Sequence, residues 1–284
     1  MPGVVIVTDS STCLPAELTV ALPIRVLPIS VYLPEGQGSG PGPELATPIS
    51  EAAEHAELNG ANHPFVTEYL GAIEAGDAEA AVVVTPAIEF AAMFRNAALA
   101  AELANRPCIT VDARTAAGGQ ALVVLAGAEA AAGGAALENV VRVIEDASRR
   151  VEVVASLASL EPIRRNGPLP EEILASHPSS GARSVFRMRD GTVEPLACPG
   201  GPEETLEAIA GAVAASSAGG IERCTVFHAG EPELARRLVT LIQRVDFVSG
   251  FSMAMQVHTG PGVVGVAWIP RHVVEATQLT RSAS

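Results

Sequence analysis

Short apolar runs alternate with longer alanine-rich stretches along the first half of the chain. Each short run is rich in β-branched residues, as in a buried strand, and each longer stretch repeats its apolar residues at helical spacing. The strands that this pattern predicts are 4–7, 24–31, 81–84, 108–111 and 151–155. The helices that it predicts are 14–22, 50–58, 67–75, 90–104, 115–132 and 137–149. Such alternation predicts an α/β domain with three layers, α/β/α, in which helices cover both faces of a parallel sheet.

The second half of the chain has a different order of elements. Two predicted strands, 184–188 and 192–196, are joined by Asp190-Gly191, a pair that suits a tight hairpin turn with positive φ. A helix at 203–215, a strand at 223–227, a helix at 232–243 and a strand at 263–269 complete the predicted elements. Hairpins mixed with helices predict an α+β domain with a mixed or antiparallel sheet.

Proline and glycine recur between residues 155 and 170, where we expect the two domains to join. The predicted division is an α/β domain over residues 1–155 and an α+β domain over residues 156–284.

Composition excludes several classes of protein. The chain has 284 residues, of which 48% are hydrophobic, so it can bury a core and is not disordered as a whole. All 18 basic residues are arginine, and with 32 acidic residues the formal net charge is −14. A field of this sign disfavours nucleic-acid binding. The absence of lysine excludes a Walker-type phosphate loop, a lysine Schiff base and a pyridoxal-phosphate anchor.

Nothing in the sequence predicts export or stable membrane insertion. The first residues lack a basic segment and their apolar run ends at Asp9, which is typical of a strand and not of a signal peptide. The most apolar later stretch, 121–137, is interrupted by Glu129 and falls short of the ~20 apolar residues of a membrane span. No two of the four cysteines form a Cys-x-x-Cys pair. We therefore expect a cytoplasmic protein.

Motif searches predict neither a cofactor nor a metal site. Residues 260–265 match Gly-x-Gly-x-x-Gly, but these glycines precede an apolar strand, whereas a dinucleotide site opens a helix. The six histidines show neither an i,i+4 pair nor a His-x-His sequence, so their spacing supports no metal ion.

Two short segments carry candidate binding chemistry. Asp9, Ser10 and Ser11 follow the first strand, and ligands of open α/β sheets bind beyond the carboxyl ends of the strands. The same residues suit a cap for the next helix equally well. The segment His258-Thr259-Gly260-Pro261-Gly262 offers an imidazole, a hydroxyl and glycine amides that could face an anion, or forms a plain turn.

Taken in order, several segments of the chain resemble the DegV family. They are 5–15, which contains Thr8-Asp9-Ser10, then 24–31, 111–115, 157–167 and 258–262. The His-Thr-Gly-Pro-Gly sequence is the most specific of them, and the resemblance extends over nearly the whole chain.

The resemblance implies a two-domain protein that holds one long-chain fatty acid in an apolar tunnel between the domains. Such a protein is a carrier and not an enzyme, and no cofactor is expected besides the fatty acid. Some members of the family are binding subunits of a fatty acid kinase, so a separate catalytic subunit is the expected protein partner. That subunit would phosphorylate the bound carboxylate.

The resemblance also implies positions for the site. Of the head-group contacts usual in the family, His258 and Thr259 remain; Asn62 or His63 could substitute as donors and Arg165 could approach, with Asp9, Ser10 and Ser11 in a loop near the head group. The acyl-tunnel candidates are Phe65, Ile88, Phe90 and Ala91.

Two segments depart from the sequence of the family. Ala61-Asn62-His63-Pro64-Phe65 replaces Thr-Ser-Gln-Pro-Ser, and residues 87–93 replace Ser-Ser-Gly-Leu-Ser-Gly-Thr, whose hydroxyls ordinarily donate hydrogen bonds to the carboxylate. A carboxylate in an apolar pocket needs donors or positive charge. Two alternatives therefore stay open: a carrier for a different or neutral lipid with no kinase partner, and an acyl hydrolase that uses Ser10 or Ser11 with His258.

Overall fold

The computed structural model describes residues 3–31, 61–88, 93–166 and 183–271. For residues 30, 31, 61, 62 and 164–166 it describes the backbone alone. The helix predicted at 50–58 and the tunnel candidates Phe90 and Ala91 lie outside the described residues.

The strands alternate with helices through the first half and mix with hairpins in the second. In chain order the strands are β1 (Val4–Asp9), β2 (Ile24–Leu27), β3 (Ser30–Val31), β4 (Ala61–Asn62), β5 (Ala80–Thr85), β6 (Cys108–Asp112), β7 (Glu152–Leu157), β8 (Ser184–Arg189), β9 (Thr192–Ala197), β10 (Ile221–Ala229), β11 (Phe247–Gly250) and β12 (Val263–Pro270). The helices are α1 (Ala16–Ala21), α2 (Val66–Glu74), α3 (Met93–Leu103), α4 (Gly118–Ala132), α5 (Leu137–Arg150), α6 (Glu161–Asn166), α7 (Pro202–Ser216), α8 (Pro232–Leu241) and α9 (Met253–Thr259), with a 3-10 turn over Ser10–Thr12.

The first sheet is parallel throughout, in the order β2-β1-β5-β6. Alternate side chains of β1 point to opposite faces, since Val5 and Val7 pack with α2 and α3, whereas Val4 and Ile6 pack with α4 and α5. Both faces are therefore covered, and the predicted three-layer α/β/α arrangement is confirmed.

The second sheet is mixed and has the order β11-β10-β12-β7-β8-β9. β10 and β11 are parallel, and the other neighbouring strands are antiparallel. Its turn between β8 and β9 has φ of 51° at Asp190 and 77° at Gly191, so the Asp-Gly hairpin is confirmed. The α+β half with a mixed sheet thus matches the predicted fold class.

Helix α4 lies between the two sheets. Eleven of its fifteen residues are buried, and two glycines allow close packing on each side. A Cβ at Gly118 would come within 2.6 Å of Phe227 in β10, and one at Gly127 would come within 2.5 Å of Ile144 in α5, which covers the same face of the first sheet. An all-round apolar helix is typical of such a position. None of the helices within the described ranges is long and apolar enough to cross a membrane.

Two predicted boundaries fall differently in the structure. The predicted strand 24–31 is two strands, β2 and β3, because Pro28 lacks an N–H for the ladder and the N–H of Ile29 donates to Ser10 Oγ at 2.9 Å. β7 pairs with β8 and β12 along its length, so all of it belongs to the second sheet and the boundary predicted at 155/156 falls inside this strand.

Candidate functional site

The loop after β1 is organised by a buried carboxylate. Asp9 accepts hydrogen bonds from the Ser11 N–H at 2.9 Å and from the Ser11 hydroxyl, and so caps the 3-10 turn. The Oε1 atom of Gln120, at the start of α4, lies 2.8 Å from the Ser11 hydroxyl oxygen. The Nε2 amide of the same side chain donates a hydrogen bond to Asp9 Oδ2 at 3.3 Å. Asp9 and Gln120 are both fully buried. The capping interpretation of Asp9 is therefore the one that the geometry supports.

Burial dominates the chemistry of Asp9. Desolvation raises the pKa of its carboxyl above the usual value, although the hydrogen bonds from Ser11 and Gln120 and the nearby imidazole of His63 act in the opposite direction. The carboxylate thus stands close to His63 without being open to solvent.

A second contact joins the loop after β1 to the distant helix α9. Ser252, the N-cap of α9, donates its N–H to Cys13 Sγ at 3.3 Å and its hydroxyl to the Ser10 carbonyl at 3.3 Å. Cys13 has a left-handed φ of 50°. Burial raises the pKa of its thiol to about 11, so the sulfur is a neutral structural acceptor and not a nucleophile.

His258 and His63 lie near each other, in the same region as the contact between Ser252 and the loop after β1. α9 carries His258 in its last turn and packs against β3 and β4, and β4 leads directly into His63. Burial lowers the pKa of His258, and the proximity of His63 lowers it further. Because His63 also acts on Asp9, these three side chains share one region at the carboxyl end of β1. Here the structure brings together residues that the sequence separates by 249 positions.

The glycine amides after His258 do not face an anion. The N–H of Gly260 donates to the Gln256 carbonyl and that of Gly262 donates to the Ala229 carbonyl, both at 2.8 Å. The Thr259 hydroxyl donates to the Met255 carbonyl at 2.9 Å. Of the two alternatives for this segment, the geometry supports the plain turn, because the turn uses its own donors to end α9 and begin β12.

Two of the remaining site candidates lie on the surface, and two belong to elements that pack against α9. Phe65 and Ile88 are 60% and 53% exposed, so these two tunnel candidates lie on the surface. The backbone of Asn62 pairs with Ser30, and Arg165 lies in α6; the side chains of both are outside the described part.

The candidate hydrolase serines have other partners. Ser10 Oγ accepts from Ile29 and the Ser11 hydroxyl is held by Asp9 and Gln120. Among the described residues no group of three or more His, Cys, Asp or Glu side chains is suited to a metal ion. The arrangement can bind and orient a polar group through the imidazole of His258.

An apolar groove lies between the two halves of the molecule. Its volume is about 320 Å³, and Leu18 of α1, Leu122 and Leu125 of α4 and Phe247 of β11 line it. An ion pair between Arg223 and Glu129 lies at its rim. Pro15, two residues beyond Cys13, also lines the groove.

Sequence reasoning missed Gln120, Cys13 and Ser252. Gln120 sits in an alanine-rich helix where nothing marks a polar contact, and the 3.3 Å approach of Ser252 to Cys13 joins residues 239 positions apart. A serine immediately before a helical run is an N-cap signal, which could have identified the start of α9.

Fold and site together define an α/β protein of two sheets with a small polar site where the halves meet. The model of the DegV family matches residues 3–271, and the chain belongs to this family. DegV domain-containing proteins of Mycobacterium tuberculosis and Mycobacterium bovis are 30% identical over 170 residues, a match that spans 58% of this chain and only 58% of the length of each relative. A DegV domain-containing protein of Streptomyces coelicolor is 25% identical over 281 residues, which cover 93% of this chain and 97% of that protein.

Solved structures share the fold at lower identity. A DegV family protein from Thermus thermophilus, described for its fatty acid binding, has a TM-score of 0.83 at 22% identity and covers 94% of this chain and 99% of its own. DegV from Bacillus subtilis, described as a fatty acid binding protein, has a TM-score of 0.81 at 20% identity with the same coverage. A family member from Eubacterium eligens, loaded with heptadecanoic acid, has a TM-score of 0.79 at 14% identity, covering 94% of this chain and 100% of its own.

Proposed function

We propose that this protein is a non-catalytic carrier that holds one long-chain fatty acid between an N-terminal α/β domain and a C-terminal α+β domain that begins with β7. The carboxylate lies near His258, with His63 beside it and the loop of Asp9, Ser10 and Ser11 beneath. The observation that carries the proposal is the pair of imidazoles at the carboxyl end of β1 in a DegV-family fold, a family several of whose solved members are described as binding fatty acids.

The acyl chain supplies most of the affinity in this proposal. Each buried CH₂ group contributes about 0.8 kcal/mol, so two further carbons tighten binding about tenfold as long as both are buried. Head-group contacts then select the ligand. A neutral imidazole donates one hydrogen bond to a carboxylate oxygen, which offsets part of the cost of desolvating it.

Binding of a free acid is the direct test of the carrier. Delipidated protein is titrated with palmitic acid, its methyl ester and hexadecanol by displacement of a fluorescent fatty acid, and lipids extracted after native purification are identified by mass spectrometry. The carrier predicts that the acid binds more tightly than the ester. Uptake of no C14–C18 lipid would contradict it.

His258→Gln tests the head-group position against a matched variant. His228 is a second imidazole whose pKa burial lowers, but strand alternation turns it to the face of β10 opposite Phe227. His258→Gln is expected to weaken acid binding about tenfold while His228→Gln leaves it unchanged. Equal effects of the two substitutions would argue against a head group at His258.

We propose that the groove between α1, α4 and β11 takes part of the acyl chain. Leu18→Trp narrows the groove, whereas Val20→Trp on the same helix changes a side chain that is 86% exposed. Leu18→Trp is expected to weaken binding of a C18 acid more than that of a C12 acid, and Val20→Trp to change neither. Loss of affinity independent of chain length would place the tail elsewhere.

A carrier for a lipid with a neutral head group is the second candidate function, and the electrostatics around His258 favour it specifically. Burial keeps His258 uncharged at neutral pH, and the Asp9 carboxylate lies in the same region, so the described side chains around His258 supply hydrogen bonds more readily than positive charge. Hexadecanol or the methyl ester binding at least as tightly as palmitic acid would select this candidate.

Presentation of the bound fatty acid to a kinase subunit is the more specific part of the carrier proposal. The loaded protein is mixed with ATP and a fatty acid kinase catalytic subunit of the dihydroxyacetone-kinase type, and acyl phosphate is trapped with hydroxylamine. Formation of the hydroxamate only when this protein is present supports the partner. Its absence with a catalytic subunit that is active on another carrier would remove the kinase from the proposal.

A further inference from the structure

Two buried hydroxyl groups have no hydrogen-bond partner at the carboxyl end of the first sheet. Tyr69 and Thr85 are both 0% exposed, and within the described part of the chain neither Tyr69 Oη nor Thr85 Oγ1 has a partner. A buried hydroxyl without a partner forfeits its hydrogen bonds to water, so such groups are rare and call for a physical reason.

Both hydroxyls lie at the end of the sheet that carries the candidate site. Tyr69 is in the first turn of α2, shortly after His63, and packs with Val83 of β5. Thr85 is the last residue of β5, which pairs with β1, the strand that ends at Asp9. Strand alternation places Thr85 on the face of Val83, the face that α2 covers. The two groups therefore converge from a helix and a strand on one region.

The Tyr69 hydroxyl is available as a donor. Asp9 takes its hydrogen bonds from Ser11 and Gln120 and not from Tyr69, yet it lies close enough to act on the tyrosine. Burial, together with the negative charge of Asp9, raises the pKa of Tyr69, so the hydroxyl stays protonated. A protonated hydroxyl next to an anionic side chain suits a ligand that brings a hydrogen-bond acceptor.

Other unpartnered hydroxyls of this domain are placed differently. Thr115 Oγ1 faces α4, where a Cβ on Gly119 would lie 2.2 Å from it. Thr110 Oγ1 is in the middle of β6, in register with Val83 and one pleat away from the end of the sheet. Thr110 is therefore a control for the loss of a buried hydroxyl remote from the site.

We infer that the hydroxyls of Tyr69 and Thr85 bind the carboxyl head group of the lipid, as donors additional to His258. This inference rests on the proposed function and deepens it, because it assigns specificity to two residues that lie outside the histidine and Thr-Asp-Ser segments. Both hydroxyls have no partner among the described residues and gain an acceptor when the ligand binds.

Tyr69→Phe, Thr85→Val and Thr110→Val test the inference in the full chain, with palmitic acid as the probe. Each substitution removes one hydroxyl and preserves most of the volume. The dissociation constant is expected to rise about tenfold for Tyr69→Phe and for Thr85→Val, a change of about 1.4 kcal/mol in each case. Thr110→Val is expected to leave it unchanged. The melting temperature of the ligand-free variants is not expected to fall, since the described part of the chain offers the lost hydroxyls no partner.

The outcomes separate the inference from the function on which it rests. Unchanged palmitic acid affinity in Tyr69→Phe and Thr85→Val, with binding intact in the parent protein, overturns the inference alone. A fall in the melting temperature without a change in affinity also overturns it, because the hydroxyls would then be structural. Failure of the parent protein itself to bind the acid overturns both.

Discussion

Substitution of Asp9 separates the hydrogen bonds of its carboxyl from its charge. In Asp9→Ala the 3-10 turn loses its cap, which costs about 1 kcal/mol. The Ser11 hydroxyl and the Gln120 amide also lose an acceptor in a fully buried place, which costs about 1–2 kcal/mol more. Asp9→Asn keeps an acceptor oxygen for Ser11 and removes the buried charge. We expect a loss of about 2–3 kcal/mol in the free energy of unfolding for the alanine variant, and a change of less than about 1 kcal/mol for asparagine.

The stability difference between the wild type and Asp9→Asn should also change with pH in a definite direction. Burial raises the pKa of Asp9 in the folded state, so ionisation costs more in the folded than in the unfolded protein. The penalty is complete above the folded pKa and is relieved as the pH falls towards the ordinary value of 3.8. The wild-type protein should therefore gain stability relative to Asp9→Asn between pH 7 and pH 4.

Urea unfolding of the wild type and both Asp9 variants across this pH range measures the effect. Asp77→Asn, at an exposed position, controls for the loss of one negative charge from an acidic protein. An asparagine variant as unstable as the alanine variant at pH 7 would refute the reasoning, because the loop would then depend on the charge itself. A stability difference between wild type and Asp9→Asn that stays constant with pH would refute the assigned pKa shift.

Three further predictions concern the thiols, the α9 cap and the glycine turn. Iodoacetamide at pH 8 should alkylate exposed Cys198 well before Cys13, because the Cys13 thiol is buried and its pKa is raised to about 11. Equal alkylation rates of the two cysteines, measured by peptide mass spectrometry, would contradict this burial. Ser252→Ala should lower the free energy of unfolding by about 1 kcal/mol in urea and weaken palmitic acid binding, and unchanged binding would show that α9 does not need this anchor. Gly262→Ala should destabilise the protein by more than Gly134→Ala. Both glycines have positive φ, which costs an alanine about 1–2 kcal/mol, but a Cβ at 262 would lie 2.6 Å from Ala158, whereas one at 134 would meet nothing within 4 Å. Equal melting temperatures of the two variants would contradict this packing.

The two sheets were predictable because each has a distinct hydrophobic signature. Runs such as Val4–Asp9 are buried on both faces, which is how parallel strands under two helical layers read in a sequence. Asp190-Gly191 gives the hairpin and thereby the antiparallel half. The position of α4 was not predictable in the same way. Its apolar residues surround the helix and mark no single face, so the pattern indicates burial but not that two sheets cover it.

The candidate site was predictable in part, and the limit has a physical cause. His258 and His63 were named from a resemblance, and the structure places them in one region. Asp9 was correctly placed at the end of a strand, but capping residues and ligand-binding residues are chemically alike, so the sequence could not decide between the two roles. Tyr69 carries no local signal, since an aromatic residue at helical spacing is also an ordinary core residue.

The topology explains why the polar side chains gather where they do. Parallel strands end together, so β1 and β5 deliver Asp9 and Thr85 to one edge, and the start of α4 brings Gln120 to the same edge from between the sheets. Because the surroundings are apolar, each of these groups must find a partner within this small region. Asp9 and Gln120 find such partners and hold the loop after β1 in place. Thr85 and Tyr69 find no partner within the described ranges, and they are the groups for which a ligand would supply one.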